Sequence, residues 1–125
     1  MPTKERVQAL IAQVQANRFV EAIEDFYTED ASMQENLGAK RVGWATLVAH
    51  ERAMLGSNWV NTLGGEFLID GDIVVIHWRF EITDGGGRRY ALEELAHQRW
   101  HGDRIAEERF YYDPAQLAGR AAPTS

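Results

Sequence analysis

Residues 73–112 read IVVIHWRFEITDGGGRRYALEELAHQRWHGDRIAEERFYY and decide the fold. The apolar residues in this stretch are mostly β-branched or aromatic, which is typical of strands. The glycine-rich segment Asp84-Gly85-Gly86-Gly87 and the pair Gly102-Asp103 interrupt it, and both are hairpin turn signals. Upstream, residues 59–69 have the same strand character and end at Asp70-Gly71. We therefore predict a meander of four antiparallel strands, over residues 59–69, 73–83, 90–101 and 104–112.

The half of the chain before this meander has the spacing of helices. Val7, Leu10, Ile11 and Val14 follow the i, i+3, i+4, i+7 pattern of one helix face, and two further stripes follow it. Helices that precede a curled sheet must cover one of its faces. The order therefore predicts an α+β fold, with three N-terminal helices packed on a curved antiparallel sheet. We expect one domain over residues 1–118 and a flexible tail at 119–125.

Composition and charge exclude several classes of function. With 45% hydrophobic and 26% charged residues, the chain resembles an ordinary globular protein. A formal net charge of −6 and the lack of a basic run argue against nucleic acid as a partner. There is no cysteine, and Met54 stands where a zinc-protease motif beginning at His50 needs its second histidine, so we expect no metal and no cofactor. The first sixteen residues lack the apolar core of a signal peptide, which predicts a cytoplasmic protein without a membrane partner.

Several segments resemble the SnoaL-like branch of the nuclear transport factor 2 superfamily. They are FYTEDA at residues 26–31, Gly43 before the third helix, and GDRIAEERFYYD at residues 102–113. The resemblance covers roughly residues 3–118 and implies the cystatin-like, cone-shaped roll of that superfamily, which ketosteroid isomerase shares. Because the superfamily holds isomerases, cyclases, hydrolases, dehydratases and non-catalytic pockets, the fold alone does not decide the function.

Hairpin geometry predicts which side chains share the face that lines a pocket. A two-residue turn at Gly102-Asp103 pairs His97 with Glu108, and a four-residue glycine loop pairs Phe80 with Glu93. A slip of one residue at that loop would exchange the faces. An apolar face with a few polar groups is the usual architecture of a small-molecule site. This face carries most of the candidate site residues: Trp59, Trp78, Phe80, Glu93, His97, Arg99, Glu108, Phe110 and Tyr112.

The facing pair of His97 and Glu108 is the predicted catalytic centre. A carboxylate beside an imidazole fixes its tautomer and raises its basicity, as general acid–base catalysis requires. Glu93 in an apolar setting could donate a proton, with Tyr112 assisting. SnoaL-like cyclases also use a histidine and a carboxylate on the last strands, so the resemblance implies the same pair. The alternative is a structural pair that only satisfies two buried polar groups.

Two candidates for substrate binding lie outside the meander. Tyr27, at the end of the second helix, either donates its hydroxyl to the pocket or is plain core. Asn36 matches by residue type a water-holding asparagine of epoxide-hydrolase relatives, so the resemblance implies a site role. The alternative is an asparagine that precedes a loop.

Two functions remain open on the sequence. One is a cofactor-free enzyme that moves protons on a small apolar carbonyl or polyketide-like substrate, by isomerisation, cyclisation or addition of water. The other is a non-catalytic ligand-binding or dimerisation module. An apolar cluster among charges on the outer face, formed by Trp100, Ile73, Ile105 and Tyr111, predicts a homodimer through that face.

Overall fold

A computed structural model describes residues 1–56 and 58–117. The helices are α1 (Lys4–Gln15), α2 (Phe19–Phe26) and α3 (Trp44–Leu55). The strands are β1 (Tyr27–Glu35), β2 (Arg41–Val42), β3 (Trp59–Thr62), β4 (Glu66–Asp70), β5 (Ile73–Thr83), β6 (Arg89–His101) and β7 (Arg104–Tyr111). The α+β fold predicted from the sequence is confirmed. The predicted tail at 119–125 lies outside the described residues.

One sheet of seven strands has the order β2-β1-β7-β6-β5-β3, with β4 also paired to β5. Strand β1 runs parallel to β7, and the other pairings are antiparallel. The predicted strand over 59–69 is two strands, which pair with different halves of β5. The break falls where α1 approaches, since a Cβ at Gly65 would lie 2.6 Å from Ile11 Cγ2. The absence of a side chain at residue 65 therefore lets α1 lie against the sheet.

The helices bury one face of the sheet. Helix α1 begins after Thr3, whose Oγ1 accepts a hydrogen bond from the Arg6 backbone N–H at 3.0 Å. Its apolar stripe joins α2 and the inner strands in one core, in which Leu10, Ile23 and Ile76 are almost fully buried. Each such side chain contributes about 1.5–3 kcal/mol. Among the helices of the described residues, none is long and apolar enough to span a membrane.

The loop between β5 and β6 is one residue longer than predicted. Thr83 pairs with Arg89, so the loop comprises five residues, 84–88, instead of four. Asp84 belongs to the loop because its Oδ1 accepts hydrogen bonds from two backbone N–H groups of the loop, each at 2.9 Å. The Asp84 backbone N–H also donates to the Arg88 carbonyl at 2.9 Å, so the turn is closed within residues 84–88.

This extra residue exchanges the two faces of β6 relative to the prediction. Phe80 pairs with Leu92 instead of Glu93. Burial then alternates along β6, with the even-numbered residues toward the core and the odd-numbered residues exposed. Glu94 consequently faces inward and Glu93 faces outward.

The β6–β7 hairpin has the predicted two-residue turn, but a β-bulge at Ala106 follows it. Beyond the bulge Glu108 pairs with Gln98, and the predicted pairing with His97 is wrong. Ile105 and Glu108 are three positions apart, and both are buried. A regular strand would turn one of them outward, so the bulge allows both to face the core.

The predicted apolar cluster on the outer face is wrong for two of its four residues. Trp100 and Ile105 are 2% and 0% exposed and belong to the core. Tyr111 does lie on the outer face, where the Arg109 guanidinium stacks 4.7 Å from its ring centroid. Exposed Leu95, which pairs with Tyr111, adds apolar surface there. The homodimer stays a prediction.

Candidate active site

A cavity of about 370 Å³ lies between the helices and the inner face of the sheet. This volume is within the usual range of small-molecule sites. The rings of Trp78 and Phe80 stack in its wall, with their centroids 5.8 Å apart. Most of the wall is apolar, which suits a ligand with an apolar body. Representative lining residues are Leu10, Ile23, Met33, Trp78, Phe80 and Phe110.

Glu108 on β7 is buried in the wall of this cavity, with 4% of its surface exposed. The Tyr27 hydroxyl donates a hydrogen bond to its Oε1, and the Gln98 amide Nε2 donates to its Oε2 at 2.6 Å. Burial raises the pKa of Glu108 to about 7, although both hydrogen bonds act to lower it. The carboxyl therefore exchanges its proton near neutral pH.

Tyr27 is held as a hydrogen-bond donor. Burial raises the pKa of its hydroxyl well above the usual value, and the charge of Glu108 raises it further. Its backbone carbonyl accepts hydrogen bonds from the Trp44 indole at 3.1 Å and from Arg104 Nη1 at 2.9 Å. These bonds fix the first residue of β1, so the phenol stays protonated and in place beside Glu108.

Trp100 extends the chain of hydrogen bonds behind Glu108. Its indole Nε1–H donates to Gln98 Oε1 at 3.0 Å. Trp100 and Gln98 are two positions apart on β6, so both side chains lie on its inner face. Because the Gln98 amide oxygen accepts the hydrogen bond of the indole, the amide nitrogen faces the Glu108 carboxylate.

Two further glutamates face the cavity, Glu94 from β6 and Glu51 from α3. Burial, and then the charge of Glu108, raise the pKa of Glu94 to about 8. The same two causes raise the pKa of Glu51 to about 7, with Arg41 opposing them. None of the hydrogen bonds between described residues involves either carboxyl. Both groups are therefore free to contact a ligand.

A second polar cluster surrounds Glu35 at the end of β1. Arg41 Nη2 donates to Glu35 Oε2 at 2.9 Å, and the Tyr112 hydroxyl donates to Oε1 at 2.8 Å. His50 Nε2 lies 3.9 Å from Oε2. Burial lowers the pKa of His50, and burial together with Glu35 raises the pKa of Tyr112 to about 12. Near neutral pH this cluster is an ion pair with two uncharged neighbours.

The structure brings together six of the residues predicted for the site. All six line the cavity, and they are Tyr27, Trp78, Phe80, Glu108, Phe110 and Tyr112.

The predicted catalytic pair of His97 and Glu108 is wrong. The longer loop and the bulge place His97 on the exposed outer face, opposite Arg109. Glu93 also faces outward, and its Oε1 lies 3.0 Å from His77 Nε2. Arg99, which was also predicted for the site, does not line the cavity either.

Two more predicted residues lie outside the cavity. Trp59 is 68% exposed at the start of β3. Asn36 has a φ of 49°, in the left-handed region that asparagine tolerates in turns. Its Oδ1 accepts a hydrogen bond from the Tyr112 backbone N–H at 3.0 Å. The reading of Asn36 as a turn residue therefore fits its geometry.

Sequence reasoning missed part of the polar lining. A signal existed for Glu51, because it stands in the apolar stripe of α3, four residues after Leu47. A second signal existed on β6, where the missed residues Glu94 and Gln98 lie on the same face as the apolar residues Leu92, Ala96 and Trp100. Within the described ranges, no three His, Cys, Asp or Glu side chains are grouped as for a metal ion. The missed polar lining residues include Glu35, Arg41, His50, Glu51, Glu94 and Gln98.

Comparisons with solved structures give the same fold. A candidate polyketide cyclase from Pseudomonas putida KT2440 is 21% identical with a TM-score of 0.84, over 98% of this chain and 99% of that one. An LEH-like epoxide hydrolase from M. tuberculosis is 17% identical with a TM-score of 0.75, over 94% and 87%. A protein with a ketosteroid isomerase-like fold from Catenulispora acidiphila DSM 44928, in complex with trimethylamine, is 16% identical with a TM-score of 0.79, over 98% of this chain and 96% of that one. At these identities the similarity concerns the fold alone.

Among proteins with curated descriptions, none has significant sequence similarity to this chain. The sequence does match a family model, that of the SnoaL-like domain, over residues 7–108. This match spans most of the chain and includes both α3 and the strands that carry Glu94 and Glu108. The chain belongs to the SnoaL-like domain family.

Proposed function

We propose that this chain is a cofactor-free enzyme that transfers protons on a small apolar carbonyl compound. The observation that carries the proposal is the convergence of Glu51, Glu94 and Glu108 on one mostly apolar cavity. Buried carboxyls whose proton affinities lie near neutral pH are suited to general acid–base catalysis. The expected reactions are isomerisation, aldol-type cyclisation or addition of water.

The two carboxyls without hydrogen bonds can divide the acid and base roles between them. Glu94, with a pKa of about 8, is mostly protonated at pH 7 and can donate to a carbonyl oxygen. Glu51, with a pKa of about 7, is ionised in about half of the molecules and can act as the base. A pair of carboxyls that titrate apart is the arrangement that divides acid and base roles between two groups.

The proton-transfer step follows from these roles. The Glu51 carboxylate removes a proton from the carbon next to the carbonyl, and the C–H electron pair moves to form the enol double bond. The carbonyl oxygen gains the proton of Glu94, so Glu51 ends neutral and Glu94 ends ionised. In isomerisation, Glu51 returns its proton to a different carbon while the enol O–H proton goes back to Glu94. In cyclisation, the enol carbon attacks a second carbonyl, whose oxygen takes the proton of Glu51 as its C=O π bond breaks, and the enol O–H proton goes back to Glu94.

Glu108 has a supporting role in this scheme. Its two oxygens accept hydrogen bonds from Tyr27 and Gln98. Its charge is the second cause, after burial, of the high proton affinity of both Glu94 and Glu51. Glu108 therefore raises the pKa values of the other two carboxyls toward neutral pH.

The apolar wall also supports a second function, a pocket that binds a ligand without chemistry. The trimethylamine complex of the Catenulispora acidiphila protein is an instance of a small molecule bound by a protein with a similar fold. The two functions differ in one observable, which is whether protons next to a bound carbonyl exchange faster than in water.

Hydrogen–deuterium exchange tests the proposal without knowledge of the natural substrate. Rigid bicyclic ketones such as tetralones are incubated with the protein in D₂O, and loss of the α-proton signals is followed by proton NMR. A change in tryptophan fluorescence that is absent in W78F reports binding at the cavity separately. We expect the protein to accelerate exchange, and we expect E51Q and E94Q to lower the rate by about a hundredfold or more.

The matched control is E93Q, which makes the same change on the outer face of the same strand. Its exchange rate should equal that of the unaltered protein. Ketones that bind but exchange at the uncatalysed rate would refute the enzyme and support the binding function. Equal rates in E93Q and E94Q would refute the roles assigned to the cavity carboxyls.

A further inference from the structure

We propose that Trp100 is a positioning residue of this site, because its indole N–H holds the Gln98 amide in the orientation that donates to Glu108. The proposal deepens the proposed function and rests on it only for the consequence in catalysis. The three side chains form one chain of hydrogen bonds, from the indole to the amide oxygen and from the amide nitrogen to the carboxylate.

The amide of Gln98 has two orientations that fill the same space. In the one observed, Oε1 accepts from Trp100 at 3.0 Å and Nε2 donates to Glu108 Oε2 at 2.6 Å. In the other, two N–H donors would face each other at the indole, and two oxygens would face each other at an ionised carboxylate. Gln98 is 0% exposed and Trp100 is 2% exposed, so water has no room to replace either lost bond.

The indole matters most when Glu108 is protonated. A freely rotating amide would then turn its oxygen toward the carboxylic acid and accept its proton in a hydrogen bond. Such an amide would stabilise the neutral and the ionised acid alike. The indole N–H blocks this turn, so Gln98 acts only as a donor and favours the ionised form of Glu108.

The orientation of the Gln98 amide also affects Glu94, one of the two carboxyls that are free to contact a ligand. The charge of Glu108 is the second cause, after burial, that raises the pKa of Glu94. A change that leaves Glu108 neutral over a wider pH range should therefore make Glu94 lose its proton more easily. Loss of the indole N–H is thus expected to raise the pKa of Glu108 and to lower that of Glu94. General damage to the fold would not shift the two pKa values in opposite directions.

The test is a pH titration of the free protein, followed by NMR of its ¹³C-labelled glutamate carboxyls. W100F keeps an aromatic ring and removes the N–H donor. We expect Glu108 of this variant to bind its proton about tenfold more tightly, which is the size of a lost hydrogen bond to a charged group. Glu94 should bind its proton more weakly. The matched control is W59F, which removes the indole of an exposed tryptophan at the start of β3 and should leave both titrations unchanged.

A measurement on the unaltered protein keeps the proposal testable if W100F does not fold. The indole N–H signal of Trp100 should shift with the titration of Glu108, whereas that of exposed Trp59 should not. In Q98M, which has no amide to orient, this coupling should vanish. An unchanged Glu108 titration in W100F, or a Trp100 signal that ignores Glu108, would overturn the proposal. These readouts need no ligand, so they stand whether or not any ketone is turned over.

Discussion

Glu93 and Glu94 are neighbours in the chain but lie in opposite environments. Glu93 is exposed beside His77 on the outer face, whereas Glu94 faces the apolar cavity, where burial raises its pKa to about 8. One chain therefore contains a matched pair of identical residues, one inside and one outside the site. Substitution at the two positions separates effects of the cavity from effects of glutamate as such.

The cavity carboxyls should make the protein less stable as the pH rises. Glu51, Glu94 and Glu108 bind protons more tightly in the folded state, with pKa values of about 7, 8 and 7 against 4.5. Their contribution is full below about pH 4.5 and is lost as the pH rises to about 8. For Glu94 alone the loss is roughly 3–5 kcal/mol. Urea unfolding at pH values across this window measures it.

In E94Q much of the loss of stability at high pH should disappear, because the glutamine amide is neutral at every pH. E94Q should be more stable than the unaltered protein above pH 8, whereas E93Q should follow the unaltered curve. A pH dependence that is the same in all three proteins would contradict the burial of charge at Glu94.

The rate of α-proton exchange should have a bell-shaped pH profile. It should rise as Glu51 loses its proton near pH 7 and fall as Glu94 loses its proton near pH 8. The residual activity of E94Q should no longer fall on the alkaline side. Exchange kinetics between pH 5.5 and 9.5 check this, and a rate that rises monotonically in the unaltered protein would exclude Glu94 as the acid.

Removal of the Tyr27 hydroxyl should destabilise the protein. Y27F leaves one oxygen of the buried Glu108 without its donor, at a cost of about 1–3 kcal/mol above pH 7. The control is Y111F, which makes the same change on the exposed outer face and should alter stability by less than about 0.5 kcal/mol. Urea unfolding at pH 8 compares the two variants. Equal stabilities would mean that the Tyr27 bond is not maintained in solution.

Substitution of Gly65 by alanine should strain the contact between α1 and the sheet. The new Cβ would lie 2.6 Å from Ile11 Cγ2, and overpacking of this kind costs about 1–3 kcal/mol. The second substitution I11L removes that methyl group and should restore part of the loss. G86A is the control, since its Cβ would have its nearest contact at an ordinary 3.4 Å. Thermal unfolding of the three variants decides whether the clash is local.

The helical half of the fold and the antiparallel meander of β5, β6 and β7 could be predicted because they depend on periodicity and turn signals. The stripe from Val7 to Val14 and the turn at Gly102-Asp103 are local signals, and each has one structural solution. Which residues of the long strands face inward depends instead on the number of residues in the loop that joins the strands. The glycine-rich loop carries little information on that count, since glycine is compatible with many turns.

Two shifts of one residue in the strand pairing therefore changed which side chains line the site. Asp84 joins the loop through its own side chain, and Ala106 forms a bulge. The residues predicted from β5 and from the end of β7, such as Trp78 and Phe110, still line the cavity. Those predicted from β6 do not, because the shift put His97 outside and Gln98 inside. The apolar residues Leu92, Ala96 and Trp100 on the even-numbered face of β6 favoured the observed arrangement, but the predicted loop length placed that face outward.

The parallel pairing of β1 with β7 joins an early strand to the last one. Tyr27 and Glu108, which this pairing brings into contact, are separated by 81 positions in the chain. Pairings over such long separations close late in folding, after the local hairpins have formed. A nascent chain that emerges from the ribosome can build its helices and the β5–β6 ribbon. It cannot enclose the cavity until its final strand has been synthesised, and until then the apolar lining is open to other molecules.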